Sequence, residues 1–509
     1  MALQDPGSGL SYGSLWHASV GLAQAWEGSD PEKALAEYRR AEEYLDERGR
    51  EMPLGAGRGG FLGRHERGTG FYLDLLVRRG RRAEALRVLR HARVRGLLAL
   101  ANLARSTTWS DAQREAWRVK VDAYREARLA LEQIEDRAQR MDTLTQQTLA
   151  EQRDRLKTRL QALAAEALEL DPWNFSSKEP RKTEPGEVLL ACHPARAGWL
   201  CLAEKGDAVT AVRLARFDRQ VARADLERTL LMPLAPLLGD ARTLRVLAFG
   251  AMRQLDFATL TLGGRRLGER LAVSYALDLP SAAQGATAWG TVGQPKALLV
   301  IDPLSDIPES RGLAEKATSL LAPHWQVGRH QDAPDLIGNS VERTRPGSRP
   351  LGDALRRRLA AADLFFYYGH SDFAPSGGWA HSLRTADQAG LTVSDILVLD
   401  RVPRWAVLAG CESGLSDEET GGLEGVGLAQ AFLLRGSAWV IGSVRKVNYK
   451  VGAALAIALL EAGLDQPGAD PIATLERARS AARERLAHPG DVDAGVRDND
   501  LDAFRVFVL

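Results

Sequence analysis

Two apolar runs in the C-terminal half of the chain each stop abruptly on a glycine and then a reactive side chain. One is Asp363-Leu364-Phe365-Phe366-Tyr367-Tyr368-Gly369-His370. The other, about 40 residues later, is Trp405-Ala406-Val407-Leu408-Ala409-Gly410-Cys411-Glu412-Ser413-Gly414. Both are too short for helices and lack polar alternation, the pattern of a strand buried on both faces. Parallel strands laid side by side deliver the residues that follow them to one carboxyl edge, where open α/β sheets carry their sites. The chain is therefore expected to fold around a mostly parallel sheet with His370 and Cys411 at the same edge.

The N-terminal third obeys a different period. Leu15 to Trp26 reads as a helix, and Glu32 to Glu47 as a second, entered through Ser29-Asp30-Pro31 with proline at the first helical position. The pattern recurs as Phe71 to Arg79, a break at Gly80, and Ala83 to Ala101, with Ala34-Leu35 and Ala85-Leu86 in matching places. The glycine-rich run Gly55 to Gly60 reads as an insertion between the two units. Residues 1–105 thus resemble tetratricopeptide repeats, and a plain helical bundle fits the same pattern. Either surface suits a protein partner better than a small ligand.

Residues 106–175 read as one long helical hairpin. Ser110 with Gln113 and Thr143 with Gln146 fit capping boxes and mark two helix starts. Helices of roughly 30 residues would be about 45 Å long, a lever or spacer on which no catalytic residue type clusters. Asp171-Pro172 ends the hairpin, and Ser176 to Gly186 reads as a linker. Beyond it, strand patterns (Val188 to Ala191, Gly198 to Ala203, Ala208 to Leu214, Leu244 to Phe249, Leu271 to Tyr275, Leu298 to Ile301) come with helical ones, as in a sheet covered on both faces. Leu423 to Leu434, Val451 to Glu461 and Ile472 to Leu486 read as further helices, Ala438 to Gly442 as a strand, and the tail Leu501 to Val508 as a closing strand.

Composition excludes more than it selects. With 67 Lys and Arg against 66 Asp and Glu, no global field favours nucleic acid or an anionic membrane. No apolar run approaches the 18 residues of a membrane span, and Met-Ala-Leu-Gln-Asp-Pro has none of the marks of a signal peptide. Three cysteines make no disulfide framework, so reduced thiols and a cytoplasmic setting are expected. Cys192-His193 with Cys201 supplies no metal quartet, and neither a metal site nor a cofactor is expected.

Cysteine attacks only as its thiolate, and a neighbouring histidine can take the thiol proton and later deliver it to a leaving amine. Gly369 and Gly410 let the backbone turn and approach a substrate closely. The N–H groups of Ser371 and Cys411 are then the natural oxyanion donors. His381, in the loop after His370, is the one rival base. Against this stands the ordinary reading of Cys411 as a small buried hydrophobe and of His370 as a surface residue.

These residues carry a resemblance. The runs ending on His370 and Cys411 are similar to those of the CHAT domain, a caspase-like peptidase module often attached to tetratricopeptide repeats. So are the segment Glu424-Gly425-Val426-Gly427-Leu428 through Arg435-Gly436-Ser437, the strand Trp439-Val440-Ile441-Gly442-Ser443, the tail Asp500 to Phe504 and the helices upstream. The resemblance spans roughly Arg81 to the end. It implies a caspase-like α/β sandwich behind an all-α N-terminal region, with an inactive caspase-like half at 181–290 and a catalytic half at 291–509. It further implies His370 as general base and acid, Cys411 as nucleophile, and a protein substrate in a bacterial defence or regulated cell-death setting. The N-terminal helices would bind that partner or a regulator.

Three departures from the family pattern bear on the site. Ser371 stands where a glycine commonly follows the histidine, Ala409-Gly410 where Ser-Ala commonly precedes the cysteine, and Val444-Arg445-Lys446-Val447-Asn448-Tyr449 where Leu-Trp-Pro-Val-Asp-Asp is usual. Metacaspase-like relatives carry an aspartate at the position of Ala409, so that source of preference for basic residues is missing. Glu412, Ser443 and Arg445 are the candidate substrate contacts, with no P1 residue assigned. The alternative is a catalytically inert adaptor that keeps the fold.

Overall fold

The computed structural model describes residues 12–51, 56–95, 97, 110–138, 143–168, 181–215, 223–247, 255–279, 294–308, 310–329, 351–372, 381–385, 390–415, 426–466, 468–486 and 500–508. Four helices come first: α1 (Tyr12–Trp26), α2 (Pro31–Glu51), α3 (Ala56–Arg78) and α4 (Arg82–Val94). Asp30 accepts the Lys33 N–H at 3.1 Å and caps α2, with Pro31 as its first residue. The glycine-rich run read as an insertion lies instead inside α3 from Ala56 onward. Glycine disfavours helix, but the burial of Phe61, Leu62, Tyr72, Leu73 and Leu76 on this helix overrides local propensity. The expected Ala83 helix ends at Val94, and residues 98–101 lie outside the described residues.

Helices α5 (Asp111–Ala138) and α6 (Thr143–Leu168) form the long hairpin. Ser110 and Gln113 close the expected capping box reciprocally, at 2.9 and 3.2 Å. The sheet region opens with β1 (Glu187–Pro194), β2 (Trp199–Lys205) and β3 (Ala208–Leu214). Next come α7 (Arg223–Leu226), a π-helical turn (Glu227–Leu231), α8 (Met232–Leu238), β4 (Thr243–Leu247), the small pair β5 (Thr261–Leu262) and β6 (Arg265–Arg266), and β7 (Ala272–Ala276). The second half runs β8 (Lys296–Ile301), α9 (Ser310–Leu321), β9 (Gln326–Arg329), α10 (Leu351–Ala361), β10 (Leu364–Tyr368), β11 (Ser371–Asp372), β12 (Ser382–Leu383), β13 (Leu391–Thr392) and α11 (Val393–Leu397). It closes with β14 (Trp405–Ala409), α12 (Leu428–Leu434), β15 (Trp439–Ser443), α13 (Tyr449–Glu461), α14 (Pro471–Leu486) and β16 (Phe504–Val508).

Among the described residues, eleven strands form one sheet in the order β3-β2-β1-β4-β7-β16-β15-β14-β10-β8-β9. It is not uniformly parallel. β1, β4, β7 and β16 form one parallel block, and β15, β14, β10, β8 and β9 another. The C-terminal strand β16 joins them, parallel to β7 and antiparallel to β15. Both halves anticipated from the sequence therefore share one continuous sheet.

Residues alternate between the two faces of that sheet, as the pleat requires. Phe365 and Tyr367 face the core shared with α5, α6 and α12, while Phe366 and Tyr368 face α9, α13 and α14. On β1 and β2, Leu189, Ala191, Leu200 and Leu202 pack under α1–α4. The N-terminal helices are thus docked on the sheet. A buried ion cluster reinforces the contact: Arg90 donates to both Asp278 carboxylate oxygens at 2.7 Å, and Arg245 bridges Asp278 (3.1 Å) and Glu187 (3.0 Å).

The cysteine expectation needs correction. Cys192 and Cys201 occupy directly opposed positions of β1 and β2 and form a disulfide, with Cα atoms 4.1 Å apart. Strand register, invisible in a cysteine count, brings them together. Cysteine usage therefore gives no support to the reducing, cytoplasmic setting inferred from it. No helix among the described residues is long and apolar enough to cross a membrane.

The hairpin docks on α11 through one carboxylate. Asp395, with no exposed surface, accepts from Tyr124 at 3.0 Å and pairs with Arg128 and Arg356, each at 3.2 Å. Burial pushes its carboxyl up, but the two guanidiniums outweigh that and keep its pKa below the usual carboxylate range. A folded-state pKa lowered in this way contributes stability above the unfolded value and loses it as pH falls through the folded one. Asp395→Ala leaves two buried guanidiniums without this partner and is expected to cost about 3–5 kcal/mol, read as an earlier urea midpoint at pH 7. A midpoint equal to wild type would show that the cluster adds nothing.

Candidate active site

Strands β10 and β14 pair in parallel with Tyr368 opposite Ala409. His370 and Cys411 each follow two residues later, so both emerge from the same edge of adjacent strands. The two exits approach closely. A Cβ at Gly410 would lie 3.2 Å from the Gly369 carbonyl oxygen, and one at Gly369 would meet the Tyr367 hydroxyl at 2.8 Å. Ser371 Oγ donates to the Cys411 carbonyl and ties the two turns together.

The histidine is anchored through its backbone. Its carbonyl accepts from the Tyr367 hydroxyl and from the Arg384 N–H at 2.9 Å. The Arg384 bond belongs to a three-stranded sheet, β11-β12-β13, in which Ser371 opposes Leu383. Hydrogen-bonded and non-bonded pairs alternate along an antiparallel ladder, so bonding at His370–Arg384 turns the Ser371 N–H away from β12. The imidazole is half-exposed, with Nε2 3.2 Å from Oδ1 of Asp306.

The cysteine turn is held from β15. Glu412, at φ 57°, donates its N–H to the Arg445 carbonyl at 3.1 Å, and Gly414 donates to Ser443 at 2.7 Å. Ser413 Oγ donates to the Leu408 carbonyl at 2.7 Å and accepts from the Ser443 N–H at 3.1 Å. Cys411 is partly exposed and carries the one free thiol of the chain, directed at the Val447 carbonyl 3.6 Å away. Among the described contacts, no hydrogen bond joins this thiol to His370. The ring lies against Asp306 and the sulfur against the Val447 carbonyl.

The other residues singled out from the sequence separate clearly. Ser443 is fully buried, and its hydroxyl donates to the Arg445 carbonyl at 2.6 Å, so it shapes the 443–447 loop. Arg445 is half-buried; burial and the Arg505 charge push its pKa down, while Asp256, Asp502 and Asp500 oppose them. Glu412 lies half-exposed at the turn. His381 is 2% exposed, directly before β12, and its carbonyl accepts the Val393 N–H at 3.0 Å. A cleft of about 350 Å³ lies elsewhere, along β9 and the amino end of β8, lined by Lys296, Val327, Arg329 and Arg358. No group of three or more His, Cys, Asp or Glu among the described residues could hold a metal ion.

Sequence reasoning missed Asp302, Asp306, Tyr367 and Arg384. Ile301-Asp302-Pro303 was visible as a strand end, but the pairing of Tyr368 with Ile301, which brings that end beside His370, is not written in any local pattern.

A family model described as the CHAT domain matches residues 220–490, more than half of the chain and both His370 and Cys411. The chain belongs to the CHAT-domain family. The match begins later than the resemblance traced from Arg81 and stops short of the tail strand. No curated protein matches this chain in sequence. Solved structures match at low identity. One separase–securin complex of Saccharomyces cerevisiae is 12% identical, with a TM-score of 0.43, over 98% of this chain and 40% of that chain. Another structure of that complex gives 12% and 0.37 over 57% of this chain and 17% of that one. A complex of the Porphyromonas gingivalis RgpB pro- and mature domains gives 14% and 0.34 over 58% and 72%. The CHAT-domain chain spans less than half the length of the separase chains it matches.

Two buried histidines are expected to make the fold acid-sensitive. Burial pushes His381 and His193 down to about 4. An unfolded histidine takes its proton near 6.5, so the unfolded state binds more protons between about pH 6.5 and 4, and stability falls as pH drops through that window. His381→Gln is expected to reduce the loss in urea midpoint between pH 7 and 5. An unchanged slope would assign the acid sensitivity to other groups.

Proposed function

We propose that this CHAT-domain protein is a cysteine endopeptidase that uses Cys411 and His370 on a protein substrate. The observation that carries the reading is the register: His370 and Cys411 stand at equal distances past the paired residues Tyr368 and Ala409 on neighbouring parallel strands. In the first step the Cys411 proton passes to the imidazole as sulfur bonds to the peptide carbonyl carbon. The N–H groups of Ser371 and Cys411 receive the oxyanion, a role supported for Ser371 by the outward direction of its N–H. Collapse breaks the C–N bond, the imidazolium protonates the leaving amine, and water activated by the same ring hydrolyses the thioester. Glu412 and the Arg445 side chain are the assigned substrate contacts, and Ser443 acts by shaping their loop. The α1–α4 helices, read as tetratricopeptide-like, serve as the docking surface for the substrate or a regulator. A bacterial defence or cell-death role follows the family resemblance.

The test uses a peptidyl acyloxymethyl ketone on the full chain, with adducts located by mass spectrometry. Wild type is expected to take one adduct at Cys411, Cys411→Ala none, and His370→Ala to react about 10²–10⁴-fold more slowly. Labelling of His370→Ala at the wild-type rate, or none in wild type, would favour the inert adaptor.

A further inference from the structure

The loop after β8 brings a carboxylate to the histidine. Asp302, 2% exposed and at φ 44°, donates its N–H to the Tyr368 carbonyl at 2.6 Å, which ties this loop to the end of β10. Its carboxylate accepts the N–H groups of Asp306 and Ile307, each at 3.1 Å, and the Ser310 hydroxyl at 2.7 Å. A buried carboxylate with three donors fixes the path of the loop and ties it to Ser310, the first residue of α9. Asp306 stands on that loop, half-exposed, with Oδ1 3.2 Å from Nε2 of His370. The nearby cation is Arg384, bound in a fork to Asp372 and within electrostatic reach of Asp306.

We propose that Asp306 is a positioning residue for His370, an assignment that rests on the dyad reading above. The carboxylate holds the ring with its N–H on Nε2, which leaves the Nδ1 lone pair as the acceptor for the Cys411 proton. When Nδ1 takes the Cys411 proton, the ring carries N–H on both nitrogens and a positive charge, and sulfur carries the negative charge. The Asp306 carboxylate beside Nε2 stabilises that imidazolium. Asp302 supports Asp306 by fixing the loop, without touching the ring.

The experiment is alkylation of the full-length, unreduced chain by iodoacetamide at pH 7, followed by intact mass. Cys192 and Cys201 are in the disulfide, so a single adduct reports Cys411. Asp306→Asn removes the negative charge beside the imidazolium and is expected to react about tenfold more slowly. Asp306→Glu should recover most of the rate, with both variants melting like wild type. A substitution that merely loosened the loop would not be rescued by the longer acid. Wild-type reactivity in Asp306→Asn, with His370→Ala slow, overturns the positioning role and leaves the dyad standing. Wild-type reactivity in His370→Ala removes the dyad reading itself. Should Asp306→Asn fail to fold, histidine NMR of the wild-type chain decides: a neutral His370 protonated at Nε2 supports the assignment, and one protonated at Nδ1 overturns it.

Discussion

The in-register parallel pairing of β10 with β14 is the constraint on which the rest of the structure depends. Each strand contributes five paired residues, from Leu364 against Trp405 to Tyr368 against Ala409. A slip of one residue would exchange the faces on which Phe365 and Phe366 pack, and both faces are fully buried. The two cores therefore enforce the register, and the register sets the separation of His370 from Cys411. Trp405 stacking on its register partner Trp439, with centroids 6.2 Å apart, continues the same alignment into β15.

Much of this was legible because buried parallel strands have a strong signature. The runs ending on His370 and Cys411 and the strand β15 lie where their residue patterns put them; the helix expected from Leu423 begins at Leu428, with residues 423–425 outside the described residues, and the tail strand begins at Phe504 behind a turn at Leu501–Ala503. What stayed hidden depends on which strands become neighbours. The disulfide requires Cys192 opposite Cys201, and the Asp302 loop requires β8 beside β10. Neither pairing has a local signal. The Gly55 to Gly60 run misled for the opposite reason, since poor helix propensity there is overcome by what α3 buries further along.

Charge is used in two distinct ways. Along β1, β4 and β7, Arg90, Arg245, Glu187 and Asp278 are buried together where the N-terminal helices meet the sheet. Such clusters add little net stability over an apolar contact, but removing a single member is costly, so they fix one docking geometry against others. Around the thiol edge the charges are half-exposed: Asp306, Asp372, Arg384, Glu412 and Arg445 can meet a ligand or a ring that changes its own charge. This contrast separates the part of the molecule that must stay put from the part that must respond.

The small sheet β11-β12-β13 begins beside His370 and ends at Thr392, whose hydroxyl caps α11 by accepting the Asp395 N–H. Just before and just after that last strand, the long hairpin grips the chain: Arg128 donates to the Gly390 carbonyl and pairs with Asp395, and Tyr124 donates to Asp395. A roll of α5 about its own axis consequently has two outlets. It can tear three buried polar contacts, or it can drag a short ladder whose far rung is the His370 carbonyl. The hairpin, which carries no chemistry of its own, is in this sense geared to the ring.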